Sequence, residues 1–358
     1  SEVSVVLLKM IGFDVFVIQF GEINITQIKY CISIIQFSDR SRNRYKKSYK
    51  NVLENYMLDI NNDFVLWGAD TISIPTNVRK TISIQHGIAF DMYSEDSKLK
   101  KILKKLNFIS LYKFYQRHQS LKNIHNSRHI VCVDYNYLNW YRTYSIKHNN
   151  ENNNISVIPN FTHVNRDYLY EKEKISQGGI NICFARRFVI KRGVSIMTEI
   201  ANNILTKYKN VNFYFAGDGP EIGSILDLQK KYPSSVYITK FSQEDTNNFH
   251  SEMDISIVPT LGSEGTSLSL LEAMANKCAV IATNIGGLTN ILIDNFNGLM
   301  VNPTVNELEN ALEILILNPD IRKKLSENGF NTVYQGFNYN LWKEKWKKLI
   351  IEVDNEND

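Results

Sequence analysis

The sequence predicts an α/β protein built from two domains, each a doubly wound parallel sheet. Three observations lead there. At 358 residues the chain is too long for one ordinary core and suits two domains of average size. Short apolar strands alternate with amphipathic helical segments along its length. In the second half, strand after strand runs into a basic or glycine-rich turn, and such turns are where ligands sit in doubly wound sheets.

Taken in order, residues 1–15, SEVSVVLLKMIGFDV, read as a helix and FDVFVIQF as the strand it feeds. DFVLWGAD, KTISIQHG and RHIVCVD are further short buried strands with helical segments between them. The asparagine-rich run KHNNENNNISVIPN (147–160) is a loop followed by a strand and a proline, which sets the domain boundary just beyond it. GINICFARR is a strand, and the helix after it gathers Met197, Ile200 and Ile204 on one face. VNFYFAGDGPE turns Val211, Phe213 and Phe215 inward, while VYITKF, DISIVPT and CAVIAT complete the second sheet. NYNLWKEKWKKLIIEV closes as a helix with Trp342 and Trp346 one turn apart.

Composition narrows the classes. With 43% hydrophobic and 22% charged residues the chain reads as soluble and globular, and no apolar run reaches the roughly 18 residues of a membrane span. The first residues carry two acids and no basic region, a poor signal peptide. Cys31, Cys132, Cys183 and Cys278 are scattered without C-x-x-C or metal-ligand spacing, which fits a reducing, cytoplasmic compartment and neither a disulfide scaffold nor a zinc site. Residues 1–160 hold 21 Lys and Arg against 13 Asp and Glu, the remainder 20 against 24. The two halves therefore suit different partners.

PTLGSEGTSLSLLEAMA (259–275) is the most informative stretch. It places Glu264 in a loop at a strand's carboxyl end and Glu272 inside the helix that follows. The amides of Thr266, Ser267 and Leu268, beside Gly265, lack partners within that helix and suit a phosphate. Glu272 sits where a carboxylate accepts hydrogen bonds from ribose hydroxyls. In FARRFVIKRGV (184–194), Arg186, Arg187, Lys191 and Arg192 cluster at another strand end, and arginine binds phosphate oxygens through two parallel hydrogen bonds. In AGDGPE, Gly217 and Gly219 let the backbone approach a ligand, with packing the alternative. NIGGLTN repeats the theme.

The succession F-x-R-R-F-x-x-K-R-G-V, A-G-D-G-P, S-E-G-T-S-L-S-L-L-E-A-M-A, N-I-G-G and N-G-L-M-V resembles the retaining family 4 glycosyltransferases of the GT-B fold, with their E-x7-E motif. The resemblance covers 155–335 strongly and continues more weakly before that. It implies two Rossmann-like domains facing across a cleft: an acceptor-side domain at 1–160, a nucleotide-sugar domain at 161–336, and a helix at 337–358 that packs back towards the first. It makes Glu272 the ribose ligand, Glu264 the glutamate beside the donor sugar and Arg187 the diphosphate arginine. Arg192, with Lys191 adjacent, stands where the family has a lysine, so either cation could reach the phosphate. Asn290 stands where the family has a glutamate. His86 in SIQHGIAFD resembles the cleft histidine, a histidine bonded within its own loop being the alternative. The strand and glycine-rich loop that usually open the family's first domain are not evident, and a trimmed or incomplete start is the expectation.

The implied reaction transfers a sugar from a nucleoside diphosphate, UDP rather than GDP, to an acceptor hydroxyl with retention of configuration. Arg187, Arg192 and the amides at 266–268 would stabilise the leaving diphosphate, and no D-x-D motif or other metal site is expected, nor any cofactor. The acceptor would be lipid-linked or a polysaccharide. From Lys98 to Val133 the chain has nine Lys and Arg and no acid. Leu99, Ile102, Leu103 and Leu106 there form one face and lysines occupy the rest, so the segment 98–128 could lie on an anionic membrane. A helix packed on its sheet with a solvated basic face is the alternative, and both can hold together. A nucleotide-sugar epimerase or phosphorylase, and a non-catalytic nucleotide-sugar-binding or partner protein, are the competing classes. Nucleic-acid binding is not expected, since no recognition module accompanies the basic residues.

Overall fold

The structure is a computed structural model; it describes residues 8, 12–21, 25–29, 32–38, 49–51, 53–54, 59–88, 102–103, 105–106, 108–144, 154–164, 179–242 and 244–356. Two separate sheets make up the N-terminal part. In the first, β1 (Phe16–Gly21), β2 (Ile25–Lys29) and β3 (Ile32–Ser38) are ordered β1-β3-β2, with β3 parallel to β1 and antiparallel to β2. In the second, β4 (Phe64–Trp67), β5 (Lys80–Gln85), β6 (His129–Cys132) and β7 (Asn154–Val157) are all parallel in that order. The β2–β3 pair departs from the expected doubly wound pattern. ITQIKYCISIIQFS contains no Gly or Pro to announce a turn, so the pattern has nothing to divide it into two strands. The helix read over 1–15 lies largely outside the described residues.

The C-terminal domain is a six-stranded parallel sheet of β8 (Ile180–Ala185), β9 (Val211–Ala216), β10 (Val236–Thr239), β11 (Ile255–Val258), β12 (Ala279–Thr283) and β13 (Leu299–Val301), ordered β10-β9-β8-β11-β12-β13. Both faces are covered, so its strands read as near-continuous apolar runs. Met197, Ile200 and Ile204 from one side and Phe213 and Phe215 from the sheet share one fully buried cluster. The strand order reverses between β8 and β11, and a crevice opens at their carboxyl ends by the general rule for such sheets. The two most informative sequence stretches follow these two strands.

The last helix, Tyr339–Asn355, crosses to the other domain. Trp342, Trp346, Leu349, Ile350 and Val353 are buried in one cluster with Ile82, Val131 and Ile158. Lys80 Nζ donates to Asp354 Oδ1 at 2.7 Å, and His129 Nε2 lies 2.9 Å from Glu356 Oε2. Truncating Trp346 to Ala should therefore destabilise the N-terminal domain by about 3–5 kcal/mol, the usual cost of deleting a buried aromatic. Chemical denaturation followed by tryptophan fluorescence measures it, and a midpoint unchanged from wild type would contradict the packing role.

Candidate functional site

The loop after β11 carries the densest set of contacts. Glu264 is buried, and its Oε2 accepts hydrogen bonds from Arg186 Nη2 and Arg192 Nη1, both very short, and from Thr260 Oγ1 at 3.0 Å. Arg186 Nη1 donates to Thr260 Oγ1 at 2.5 Å. Arg186 is itself almost wholly buried at the end of β8, so the turn after one strand and the loop after the other are locked by charge. Burial, and then the neighbouring Arg186, bring the Arg192 guanidinium down to about 10, with Glu264 opposing the fall.

Main-chain contacts fix the same loop from behind and from the opposite domain. The amide of Gly287 donates to the Glu264 carbonyl at 2.8 Å. A Cβ on Gly287 would stand 2.3 Å from the Gly265 carbonyl oxygen, and one on Gly265 would stand 2.8 Å from the His86 carbonyl oxygen. Only glycine permits such backbone approach. Thr266 Oγ1 donates to the Val133 carbonyl across the cleft in a very short bond, and Asn160 Nδ2 donates to the Thr266 carbonyl at 3.0 Å. Asn290, the residue that departs from the family pattern, accepts from the Tyr135 amide at 2.8 Å and so also ties the two domains.

The helix Leu268–Ala275 starts at the end of this loop, with Ser267 at its N-cap. The amides of Thr266, Ser267 and Leu268 find no backbone acceptor among the described residues. Helix geometry leaves those of Ser267 and Leu268 open, together with Ser269 and Leu270. Contrary to the sequence expectation, Thr266 lies before the N-cap and is not a first-turn donor. Leu268 is half exposed at the mouth of a cleft of about 950 Å³. Glu272, one turn further in, lines the same cleft together with His86, Asn160 and Asn247. Burial pushes the Glu272 carboxyl up to about 7, and no hydrogen bond offsets it.

His86 projects from the end of β5. Gln85 bonds both the amide and the carbonyl of Gly87 through its side chain, each at 2.7 Å, which bends the chain and turns His86 outward. Its Nε2 lies 2.7 Å from the Gly68 carbonyl oxygen. A carbonyl only accepts, so Nε2 is the donor in this contact.

Of the residues singled out by sequence, His86, Leu268 and Glu272 line this cleft. Gly265, Thr266 and Ser267 lie in the loop that leads into the same helix, and Arg192 is bonded to buried Glu264 behind it. Arg187, one residue past Arg186 at the end of β8, is exposed and forms none of the ion pairs found among the described residues. Lys191 is half-buried beside it, with its carbonyl accepting from the Leu261 amide at 2.9 Å. Gly217 and Gly219 have a packing role. Their Cβ positions lie 2.1 Å from the Arg186 carbonyl oxygen and 2.3 Å from that of Phe188, so their space admits the chain's own basic turn. Sequence reading passed over three further residues. Thr260 and Asn160 hold the loop as described. Asp134 caps the helix Tyr135–Tyr144 by accepting from the Asn136 amide at 2.8 Å, while its buried Oδ2 has no partner among the described residues. An acid directly after a strand was the available signal for Asp134; Thr260 and Asn160 had none beyond lying at strand ends.

Among the described residues no group of three or more His, Cys, Asp or Glu is placed to hold a metal ion, and no helix is long and apolar enough to cross a membrane.

Residues 165–332 match the family model described as "Glycosyl transferases group 1". An uncharacterized glycosyltransferase of Methanocaldococcus jannaschii is 31% identical over 209 residues, which are 57% of this chain and 54% of the relative. The chain spans about half the length of that relative or less of the others it matches. Sucrose-phosphate synthase of Thermosynechococcus elongatus superposes with a TM-score of 0.73 at 17% identity, over 97% of this chain and 90% of that one. Anabaena HepE in complex with UDP gives 0.64 at 12% identity, over 90% and 86%. The fold is therefore GT-B, two parallel-sheet α/β domains across a cleft.

Two outcomes follow from the charges. Replacing Glu264 by Ala leaves Arg186 buried without a counter-charge and should cost about 3–5 kcal/mol of stability. Adding Arg186→Met should recover much of it; equal midpoints for wild type and Glu264→Ala in urea would contradict the buried pairing. Glu272 is raised from 4.5 to about 7 in the folded chain, so its proton stabilises the fold at low pH and that stability is lost as pH rises through 7. Glu272→Gln should then raise the melting temperature by a few degrees at pH 8.5 and leave it nearly unchanged at pH 4.5. The same gain at both pH values would refute the titration.

Proposed function

We propose that this chain is a glycosyltransferase that moves a sugar, with retention of configuration, from a UDP-sugar to an acceptor hydroxyl of a cell-surface polysaccharide or glycolipid. One observation supports the reading: the helix with open amides and half-buried Glu272, which has no side-chain partner among the described residues, follows β11, and exposed Arg187 follows β8, the two strands between which the order of the C-terminal sheet reverses. The amides of 266–268 and the side chain of Arg187 would take the diphosphate, whose charge grows as the sugar departs. Glu272 would accept the ribose hydroxyls, which give its carboxyl the hydrogen bonds it lacks. The UDP bound by HepE in its crystal structure supports the choice of nucleotide.

Arg192 takes a different part from that first expected. Its Nη1 is committed to Glu264, so it acts chiefly by holding that carboxylate towards the donor sugar, leaving Arg187 to the phosphates. Glu264 is flanked by two arginines and a threonine and does not suit the role of a nucleophile poised to attack carbon. Same-face substitution fits better. The acceptor oxygen bonds to the anomeric carbon as the bond to the diphosphate breaks, and the diphosphate oxygen receives the acceptor proton.

Titration calorimetry with UDP, and with UDP-sugars followed by product analysis, tests this. Glu272→Ala should lose about 1–3 kcal/mol of UDP affinity through the missing ribose bonds while remaining folded. Arg187→Ala should lower kcat/KM more than substrate binding, because the charge it meets develops in the transition state. A chain that binds no nucleoside diphosphate refutes the proposal; one that binds UDP-sugars but transfers none is a binding protein of the same fold.

A further inference from the structure

The acid-free stretch of the first domain does not present its apolar residues to the core in the way its periodicity suggests. Ile102 and Leu106, which share the expected apolar face, are more than half exposed, as is Phe108; Leu99 and Lys98, Lys100, Lys101 and Lys104 lie outside the described residues. In the helix Ile109–Ile124 the inward face is set by Ser120 and Ile124, buried against Ile130, Cys132, Tyr137 and Tyr141, and Ser120 Oγ lies 2.9 Å from Tyr137 OH. Leu111, Phe114 and Tyr115 are each more than half exposed, and with His118, also exposed, they follow the i, i+3, i+4, i+7 spacing of one helix face. That face points away from the domain. Exposed Lys105 and Lys122 flank it, and no acid occurs between Lys98 and Val133.

A contiguous set of large exposed side chains of this kind is uncommon on a soluble domain and marks a contact surface. Aromatic and aliphatic groups flanked by Lys105 and Lys122, with no carboxylate in the stretch to repel anions, match the interface of an anionic bilayer. The placement agrees. The helix lies on the crossover between the parallel strands β5 and β6, so it runs antiparallel to them. Its apolar N-terminal half is therefore at the strands' carboxyl ends, where His86 faces the cleft.

We infer that this face docks the chain on an anionic lipid surface, with Leu111, Phe114 and Tyr115 entering the headgroup region and the lysines drawn to lipid phosphates. The inference adds to the proposed function a membrane-held acceptor presented at the cleft mouth, and rests on that reading for the identity of the acceptor alone. The test is co-sedimentation with vesicles of phosphatidylcholine, with and without phosphatidylserine, at low and raised salt. Wild-type chain should bind the mixed vesicles, more weakly as salt rises, and bind the neutral ones little. Leu111→Ser, Phe114→Ser and Tyr115→Ser together, in a chain of unchanged circular dichroism, should lower the partition coefficient at least about tenfold. Lys105→Gln with Lys122→Gln should lower it less and flatten its salt dependence. Three results would each overturn the inference: wild type that ignores mixed vesicles at low salt, equal binding to neutral vesicles, or a triple serine variant that binds as wild type does. UDP binding, measured on the same preparations, separates the two proposals. Vesicle binding without UDP binding keeps this surface and removes the enzymatic reading, and the reverse removes only the surface.

Discussion

The crevice depends on one buried carboxylate. Glu264 lies between two arginines from the turn after β8, and a guanidinium as deeply buried as Arg186 is tolerable only beside such a counter-charge. The attraction draws the ends of β8 and β11 together at the point where the sheet order reverses. The main chain of the same residue accepts from Gly287, and the next two residues press against the opposite domain through His86 and Val133. Side-chain charge, loop shape and domain contact are therefore three consequences of where one acidic residue sits.

This arrangement separates holding from binding. Arg186, Thr260 and the glycines spend their hydrogen bonds and their space on the protein itself. The groups the proposal leaves for a ligand are the first-turn amides and the side chains of Glu272 and Arg187, each without a side-chain or backbone partner among the described residues for its own reason: helix geometry, a half-buried place in the cleft wall, and exposure. A site built so is preorganised, since the held groups need not move when charge arrives.

Much of this was legible in the residues. Strands of the C-terminal sheet announced themselves as apolar runs, and the helix face of Met197, Ile200 and Ile204 followed from spacing alone. What spacing does not carry is the direction of a long side chain. Arg186 and Arg187 are adjacent and chemically identical, yet one is buried and bonded to Glu264 and the other exposed. Gly217 and Gly219 showed that backbone comes close, but not that the approaching backbone is the chain's own. Ile102 and Leu106 showed helical periodicity, which says that residues share a face and not which way the face turns. The β2–β3 pair stayed hidden because its turn lacks the residues by which turns are recognised.

The crossing of the Tyr339–Asn355 helix has a bearing on how the chain is made. Trp342 and Trp346 complete the core of the first domain, yet the ribosome delivers them after the whole second domain. Domains emerging from synthesis usually fold as units, N-terminal first. Here an apolar flank of the first domain stays uncovered until the second has emerged, so the first domain cannot complete its core as an independent N-terminal unit.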